Sequence, residues 1–436
     1  AASANAQQMC SSVLLTAPTK EALFQDINKN PVDGMDLSLW STYVEAIQTQ
    51  AQYSAFLRDI QKFAFKRVEP KNKYGAVSDA RGDVALVFRL QGIDFVTPIF
   101  RFRDQLDIAQ KNALLKDFEA IHRYGFDQSP EAHRRWGALQ EIFKLAMFPD
   151  QLAEFIQKTS AELDYSKPEM NFALGPSARA VLSSIPTKIK EDANLILAQE
   201  LQKEFTAAKE GEGKRRRRNL EVIHYYLSAK TLLAMAQKND GKTIPESSFT
   251  EWIDKHWAPL VTASLPKDVG NYSFKSVLDI AKIIQKQMAS QLQGTYVEVY
   301  GSLPNMKAHL QSSDVDVHFG EKLMLKYVDA FSENKDFADQ RNILTKNKIV
   351  PQESLDLSQD LVKTEAALAQ YLGLKDYRPS RLMTVVPISP KSFNKFYEPR
   401  KYQFYNALKV VVYEDKIAVQ VYDNFEGRMY TMNLVP

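Results

Sequence analysis

Val299 to Gly320 reads VYGSLPNMKAHLQSSDVDVHFG, and no other stretch constrains the fold as much. Thr295 to Tyr300 is rich in β-forming residues and stops at Gly301 and Ser302. After eleven intervening residues, Asp314 to Phe319 alternates acidic or polar side chains with Val315, Val317 and Phe319. That is the period of a strand half-buried on one face. The same alternation sends Asp314 and Asp316 to one side. Two neighbouring carboxylates repel unless a divalent cation lies between them, and Mg²⁺ takes one or two carboxylates together with phosphate oxygens. Gly301 lets the backbone approach a phosphate closely. Ser302, at the start of a short helix expected from Leu303 to Leu310, offers a hydroxyl and N–H donors at that helix's positive end. The pieces describe a cradle for a nucleoside triphosphate with Mg²⁺ or Mn²⁺.

Tyr300, Gly301, Ser302, Asp314, Val315, Asp316 and Val317 resemble the hallmark of the DNA polymerase beta-like nucleotidyltransferase superfamily. That hallmark is a hydrophobic residue, Gly-Gly or Gly-Ser, a spacer of about ten residues, then Asp-x-Asp/Glu among apolar residues. The resemblance covers the last third or so of the chain. It implies an α+β protein whose residues 269–436 form a nucleotidyltransferase-like mixed-sheet domain, with the helix Ser273 to Gln293 just ahead of the first strand. It further implies that Asp314 and Asp316 are catalytic and hold the metal, while Gly301 and Ser302 contact the nucleotide. The family usually adds a third carboxylate from a later strand. Here the hairpin Leu408 to Tyr413 and Ile417 to Tyr422 has the pattern of that strand, yet Gln420 stands at the aligned position. An amide cannot replace a carboxylate at the metal that activates the attacking hydroxyl. Asp423 falls on the opposite face unless a bulge intervenes, and Glu414 and Asp415 read as turn residues. The site therefore either works with two acids and a substitute or binds a nucleotide without turning it over.

Around the apolar strand Leu382 to Ile388 lies a basic cluster of Arg378, Arg381, Lys391, Lys395, Arg400 and Lys401, of which Lys391 and Lys395 are the candidate triphosphate contacts. A second basic feature, Lys214, Arg215, Arg216, Arg217 and Arg218, starts a helix and would grip nucleic-acid phosphates, or else form a solvated helix start. His309 reads as a solvated helix residue. His318 shares the face of Asp314 and Asp316 and reads as structural. The plain alternative for the acid pair is an edge strand decorated with carboxylates.

Ahead of residue 269 the apolar spacing is mainly helical. Residues 1–20 read as a flexible N-terminus. Its Ala-x-Ala at Ala4 to Ala6 resembles the end of a secretory signal, so export, periplasmic or secreted, stands beside a cytoplasmic location. Residues 21–175 read as a helical domain with one β-hairpin: a long amphipathic helix from Leu37 to Phe65, a hairpin from Asp83 to Phe102, and helices over 105–122, 131–147 and 151–163. Arg81-Gly82-Asp83 is read as a turn into a strand rather than an adhesion motif. Residues 176–268 read as a helical region broken at Pro186 and carrying the basic run.

The 436 residues, 44% hydrophobic and 25% charged, suit two or three domains of a soluble globular protein. A net charge of +3 is too small to imply nucleic-acid binding by itself. Cys10 is the only cysteine, which excludes an intrachain disulfide. No stretch has the roughly eighteen uninterrupted apolar residues of a membrane span. There is no Walker loop, no Gly-x-Gly-x-x-Gly and no Gly-x-Ser-x-Gly elbow. Three functions stay open: transfer of a nucleoside monophosphate from a triphosphate to an unidentified hydroxyl, non-catalytic binding of a nucleotide or nucleic acid, and a structural or interaction role.

Overall fold

Among the described residues, the strands all lie in the C-terminal part of the chain. The computed structural model describes residues 21–23, 25–26, 37–64, 86–87, 89–121, 130–162, 175–206, 212–311, 314–330, 352–375, 382–385, 407–423 and 428–436. The fold is α+β. The chain divides into two compact units, Ala1–Leu197 with Lys209–Ile223, and Ala198–Ala208 with His224–Pro436. The boundaries expected at 175 and 268 do not coincide with this division. No helix among the described residues is long and apolar enough to cross a membrane.

The helices of the N-terminal part are α1 (Ser38–Glu45), α2 (Gln50–Ala64), α3 (Thr97–Phe100), α4 (Ile108–Glu119), α5 (Pro130–Met147), α6 (Leu152–Glu162), α7 (Pro176–Ser184), α8 (Thr187–Thr206) and α9 (Glu212–Lys238). The single helix expected from Leu37 to Phe65 is two helices, because residues 46–49 leave the helix and α2 starts with its own cap. Thr49 Oγ1 accepts from Gln52 N at 3.2 Å while Gln52 Oε1 accepts from Thr49 N at 3.2 Å, the reciprocal Thr-x-x-Gln capping box. The expected hairpin over 83–102 is also corrected. Residues 86–87 and 89–92 are helical and 97–100 form α3. Leu86, Val87, Leu90 and Ile93 are all buried, which suits a helix enclosed on several sides and not a half-buried strand, and Pro98 starts α3 at a position where its missing N–H costs nothing. The core is aromatic: the Phe118 ring is stacked with Phe143 at 4.3 Å, Trp136 at 4.9 Å and Phe95 at 5.7 Å between centroids. Asp26 accepts from Trp40 Nε1 at 3.0 Å and pairs with the buried Arg89 at 2.5 Å.

The second unit is built on one mixed seven-stranded sheet of order β1-β7-β6-β5-β2-β3-β4. The strands are β1 (Thr243–Pro245), β2 (Val297–Tyr300), β3 (Val315–Phe319), β4 (Met383–Val385), β5 (Leu408–Val412), β6 (Ile417–Asp423) and β7 (Arg428–Val435). β3–β4 and β1–β7 are parallel and the other pairs antiparallel. Its helices are α10 (Glu246–Trp252), α11 (Ala258–Thr262), α12 (Phe274–Gln287), α13 (Glu321–Ala330) and α14 (Gln352–Leu372). α12 begins where Ser273 accepts from Lys275 N, buries Phe274, Val277, Leu278, Ile280, Ala281 and Ile284, and packs on β5 and α14. Strand alternation gives the sheet one apolar face at its centre, carrying Val297, Val299, Val315, Val317, Leu408, Val410 and Val412. The other face is polar around the end of β2.

Candidate functional site

β2 and β3 are antiparallel neighbours in the register Glu298 to His318, Val299 to Val317 and Tyr300 to Asp316. Directly opposed residues share a face, so Tyr300, Glu298, His318, Asp316 and, two residues back, Asp314 stand on one side of the sheet. Asp314 is exposed and Asp316 half-buried. At the end of β2 the chain turns through Gly301 at φ +83°, where a Cβ would lie 2.6 Å from Asp316 Oδ2. A Cβ here would force the Asp316 carboxylate to shift, and glycine adopts the left-handed turn at no steric cost. Ser302, half-buried, follows it.

The expected helix from Leu303 to Leu310 does not form; residues 302–306 are turns. Met306 is left-handed at φ 59° and Lys307 N bonds back to Ser302 O at 2.8 Å, past the one-turn reach of an α-helix. The loop is instead pinned from outside. Asn305, 2% exposed, donates through Nδ2 to Gly301 O at 2.7 Å and Leu408 O at 3.0 Å, and accepts from Leu408 N at 3.0 Å. Tyr272 donates to Leu303 O at 2.7 Å, and Gly270 N to Ala308 O at 2.7 Å. The phosphate argument that rested on a helix N-terminus at Ser302 therefore falls away. What fits Mg²⁺ or Mn²⁺ is the donor set itself, two hard carboxylates on one face beside a turn that glycine leaves open.

Gln420 is not the third-carboxylate position. β5 lies between β2 and β6, so Gln420 is three strand spacings from Asp316, roughly 14 Å at 4.7–4.9 Å each. Carboxylates sharing a Mg²⁺ each lie about 2.1 Å from it. Asp423 does not reach the site either. The β6–β7 register is continuous from Ile417 to Asp423, with no bulge to turn it over, and Asp423 is buried on the other face. The strand beside β2 carries Lys409, one step beyond the paired Val299 and Val410 and on the face of Val411, which opposes Glu298. Lys409 Nζ lies 3.5 Å from Glu298 Oε2, with the two side chains only 4% and 12% exposed. His318 is buried and its ring stacks on Tyr300, centroids 3.9 Å apart at 11°.

Sequence reasoning missed Asn305, Glu298 and Lys409. The signal for the last two is one charge inside each of two adjacent apolar strands, VEVY and LKVVV, which reads as a pair only once the strands are known to be neighbours. His309 is exposed on the loop, 3.9 Å from Asp268. Lys391, Lys395 and the remainder of their cluster lie outside the described residues. The run Lys214 to Arg218 lies in α9, where Arg217 sits 3.9 Å from Glu221; the other four side chains lie outside the description. Among the described residues, no group of three or more His, Cys, Asp or Glu is placed to hold a metal.

His224 is held neutral: burial first, and the Lys307 charge second, lower its pKa to about 3 against the opposing effect of a backbone hydrogen bond at Leu260. Comparison with known proteins found no match, neither to a family model nor to a curated protein nor to a solved structure.

Proposed function

We propose that the second unit is a nucleotidyltransferase-like module that binds a nucleoside triphosphate together with Mg²⁺ or Mn²⁺. Asp314 and Asp316 hold the cation, and the Gly301 backbone and the Ser302 hydroxyl receive the triphosphate. The observation that carries this reading is the approach of Asp316 to Gly301 at the mouth of the β2–β3 pair. The cation, when bound, offsets the charge of the triphosphate oxygens. Binding stands ahead of transfer because, among the described residues, no third carboxylate joins Asp314 and Asp316.

Thermal unfolding with each of the four common ribonucleoside triphosphates, with and without Mg²⁺, tests this. A ligand at a hundred times its Kd stabilises the native state by about 2.7 kcal/mol. The expected result is a metal-dependent rise in Tm for at least one nucleotide, abolished in Asp314→Asn with Asp316→Asn. No rise in the wild type, or an equal rise in both proteins, overturns the reading. Robust transfer of radiolabelled nucleotide to pooled RNA, protein or small-molecule hydroxyls would instead establish the enzyme.

A further inference from the structure

We propose that Asn305 is a positioning residue for phosphate: by holding the Gly301 carbonyl toward β5, it leaves the Ser302 N–H facing the other way, free to donate to a phosphate oxygen. The inference rests on the reading above that this turn receives a triphosphate, and it is carried by the hydrogen bonds of the turn and not by the acid pair. Asn305 is 2% exposed and joins the end of β2 to the start of β5. Its Nδ2 donates to Gly301 O at 2.7 Å and to Leu408 O at 3.0 Å, which directs the Gly301 carbonyl toward β5. The described residues contain no cis peptide bond, and in a planar trans peptide the carbonyl and the following N–H point in opposite directions. The Ser302 N–H is therefore directed away from β5 and from the buried Asn305 amide. Among the described residues, the hydrogen bond that Ser302 makes is the one its carbonyl accepts from Lys307 N at 2.8 Å. Its N–H and its hydroxyl are both left for a ligand or for water, and backbone N–H groups presented at a turn are anion binders.

The turn does not choose this orientation by itself. Glycine populates both signs of φ readily, so the peptide between Gly301 and Ser302 is easily turned over, and in the flipped state a carbonyl would face the phosphate in place of an N–H. Asn305 removes that choice. It suits the task because an amide both donates and accepts: Nδ2 serves two carbonyls while Oδ1 accepts from Leu408 N at 3.0 Å, whereas a carboxylate has no donor to give. The loop beyond is also held against local preference. Met306, buried, is the one non-glycine residue at positive φ among the described residues, and it packs on Gly270, where a Cβ would strike the Met306 carbonyl. Such a conformation persists only where its surroundings over-determine it. A donor fixed in advance binds more tightly than one that must be ordered on binding.

Isothermal titration calorimetry of the full chain with α,β-methylene-ATP and with tripolyphosphate, each with Mg²⁺, tests the proposal at a temperature where circular dichroism shows every variant folded. Both ligands should bind the wild type. Asn305→Asp keeps an acceptor for Leu408 N and loses the Nδ2 donor. It and Asn305→Ala should bind both ligands about tenfold more weakly, the loss of one hydrogen bond to a charged group. Tyr53→Phe, which removes a buried tie to the backbone of Phe95 in the first unit, should bind both as the wild type does. Unchanged affinity in folded Asn305→Asp overturns the inference and leaves the nucleotide-binding reading standing. An equal loss in Tyr53→Phe overturns it too, since destabilisation alone would then account for the effect. A wild type that binds neither ligand overturns that reading and the inference with it. Should both Asn305 variants fail to fold, the wild type decides by amide-resolved nuclear magnetic resonance. The Ser302 N–H should move downfield as tripolyphosphate is added, and a Ser302 amide that does not move while the ligand binds overturns the inference.

Discussion

The two units use buried polar groups differently. In the first, each such group fastens one segment to another far along the chain: Asp26 joins Trp40 and Arg89, Tyr53 donates to Phe95 O at 2.6 Å, and Ser177 accepts from Phe95 N while donating to Ile93 O. The second has such ties too, Asn305 between Gly301 and Leu408 among them, but there Glu298, Lys409, His318 and Asp316 also gather on one sheet face beside an exposed carboxylate, Asp314. A buried polar group that ties down distant backbone explains itself by stability, since leaving that backbone unsatisfied costs free energy. A cluster of charges at a strand end is not needed to hold a sheet together. The difference is the physical reason for seeking chemistry at the end of β2 and not in the aromatic core.

The sharpest test of this contrast removes one member from each cluster. Lys409→Met leaves Glu298 buried without its cation and should cost about 3–5 kcal/mol in denaturant unfolding, whereas Lys409→Met with Glu298→Gln should recover most of that loss. Phe118→Ala, which empties the space between three stacked rings, should cost a similar 3–5 kcal/mol. The rings stacked on it, Phe95, Trp136 and Phe143, carry no charge whose removal would rescue it. A Lys409→Met cost below about 1 kcal/mol, the range of exposed pairs, would erase the distinction between the two regions.

Acid should separate the units further. An unfolded chain protonates His224 near its ordinary value of 6.5, while the folded chain resists protonation until about 3. The unfolded state therefore binds the extra proton between those values. The contribution of His224 is complete above 6.5 and is lost as pH falls toward 3, at up to about 1.4 kcal/mol per pH unit. His224→Gln should flatten the slope of unfolding free energy between pH 6.5 and pH 4. The first unit has no buried histidine among its described residues, so the second should soften first; an unchanged slope in His224→Gln would contradict the burial.

A matched pair of glycines isolates the site from the backbone. Gly301 and Gly241 both lie at positive φ, 83° and 73°, but a Cβ at 301 meets Asp316 Oδ2 at 2.6 Å while one at 241 meets nothing within 4 Å. Either change to alanine should cost about 1–2 kcal/mol for the left-handed conformation. Only Gly301→Ala should also abolish the metal-dependent rise in Tm with nucleotide. Loss of binding in both variants would mean that general destabilisation, and not the Asp316 contact, was being measured.

The parts of this fold legible in the sequence are those with a clean period and a stop. β2 and β3 announce themselves through Val297, Val299, Val315 and Val317, and β5 and β6 through a hairpin around Glu414 to Lys416. Between residues 83 and 102 the period misled, because three alternating apolar residues, Val84, Leu86 and Phe88, are too few to outweigh Leu86, Val87, Leu90 and Ile93 buried together. The third-carboxylate assignment failed for a different reason. Alternation fixes which face Gln420 occupies, but strand order fixes how far it lies from Asp316, and no local pattern says that β5 inserts between β2 and β6. The Glu298–Lys409 pair was hidden in the same way, since each charge alone looks like an interruption of a strand.

The smallest expected effect tests the cap that starts α2. Thr49 and Gln52 cap α2 reciprocally at an exposed position, with Gln52 Oε1 also accepting from Gln48 N at 2.7 Å. Thr49→Ala removes the hydroxyl and should cost about 1 kcal/mol, readable as a small drop in the denaturation midpoint with no change in nucleotide binding. The alternative is that burial of Trp40, Tyr43 and Tyr53 on either side sets the break between α1 and α2. A loss below about 0.3 kcal/mol would favour packing, since a cap that matters ordinarily contributes at least about 0.5 kcal/mol. A loss near 1 kcal/mol would instead make Thr-x-x-Gln the local instruction that divides the expected helix, a polar contact in the first unit that serves architecture alone.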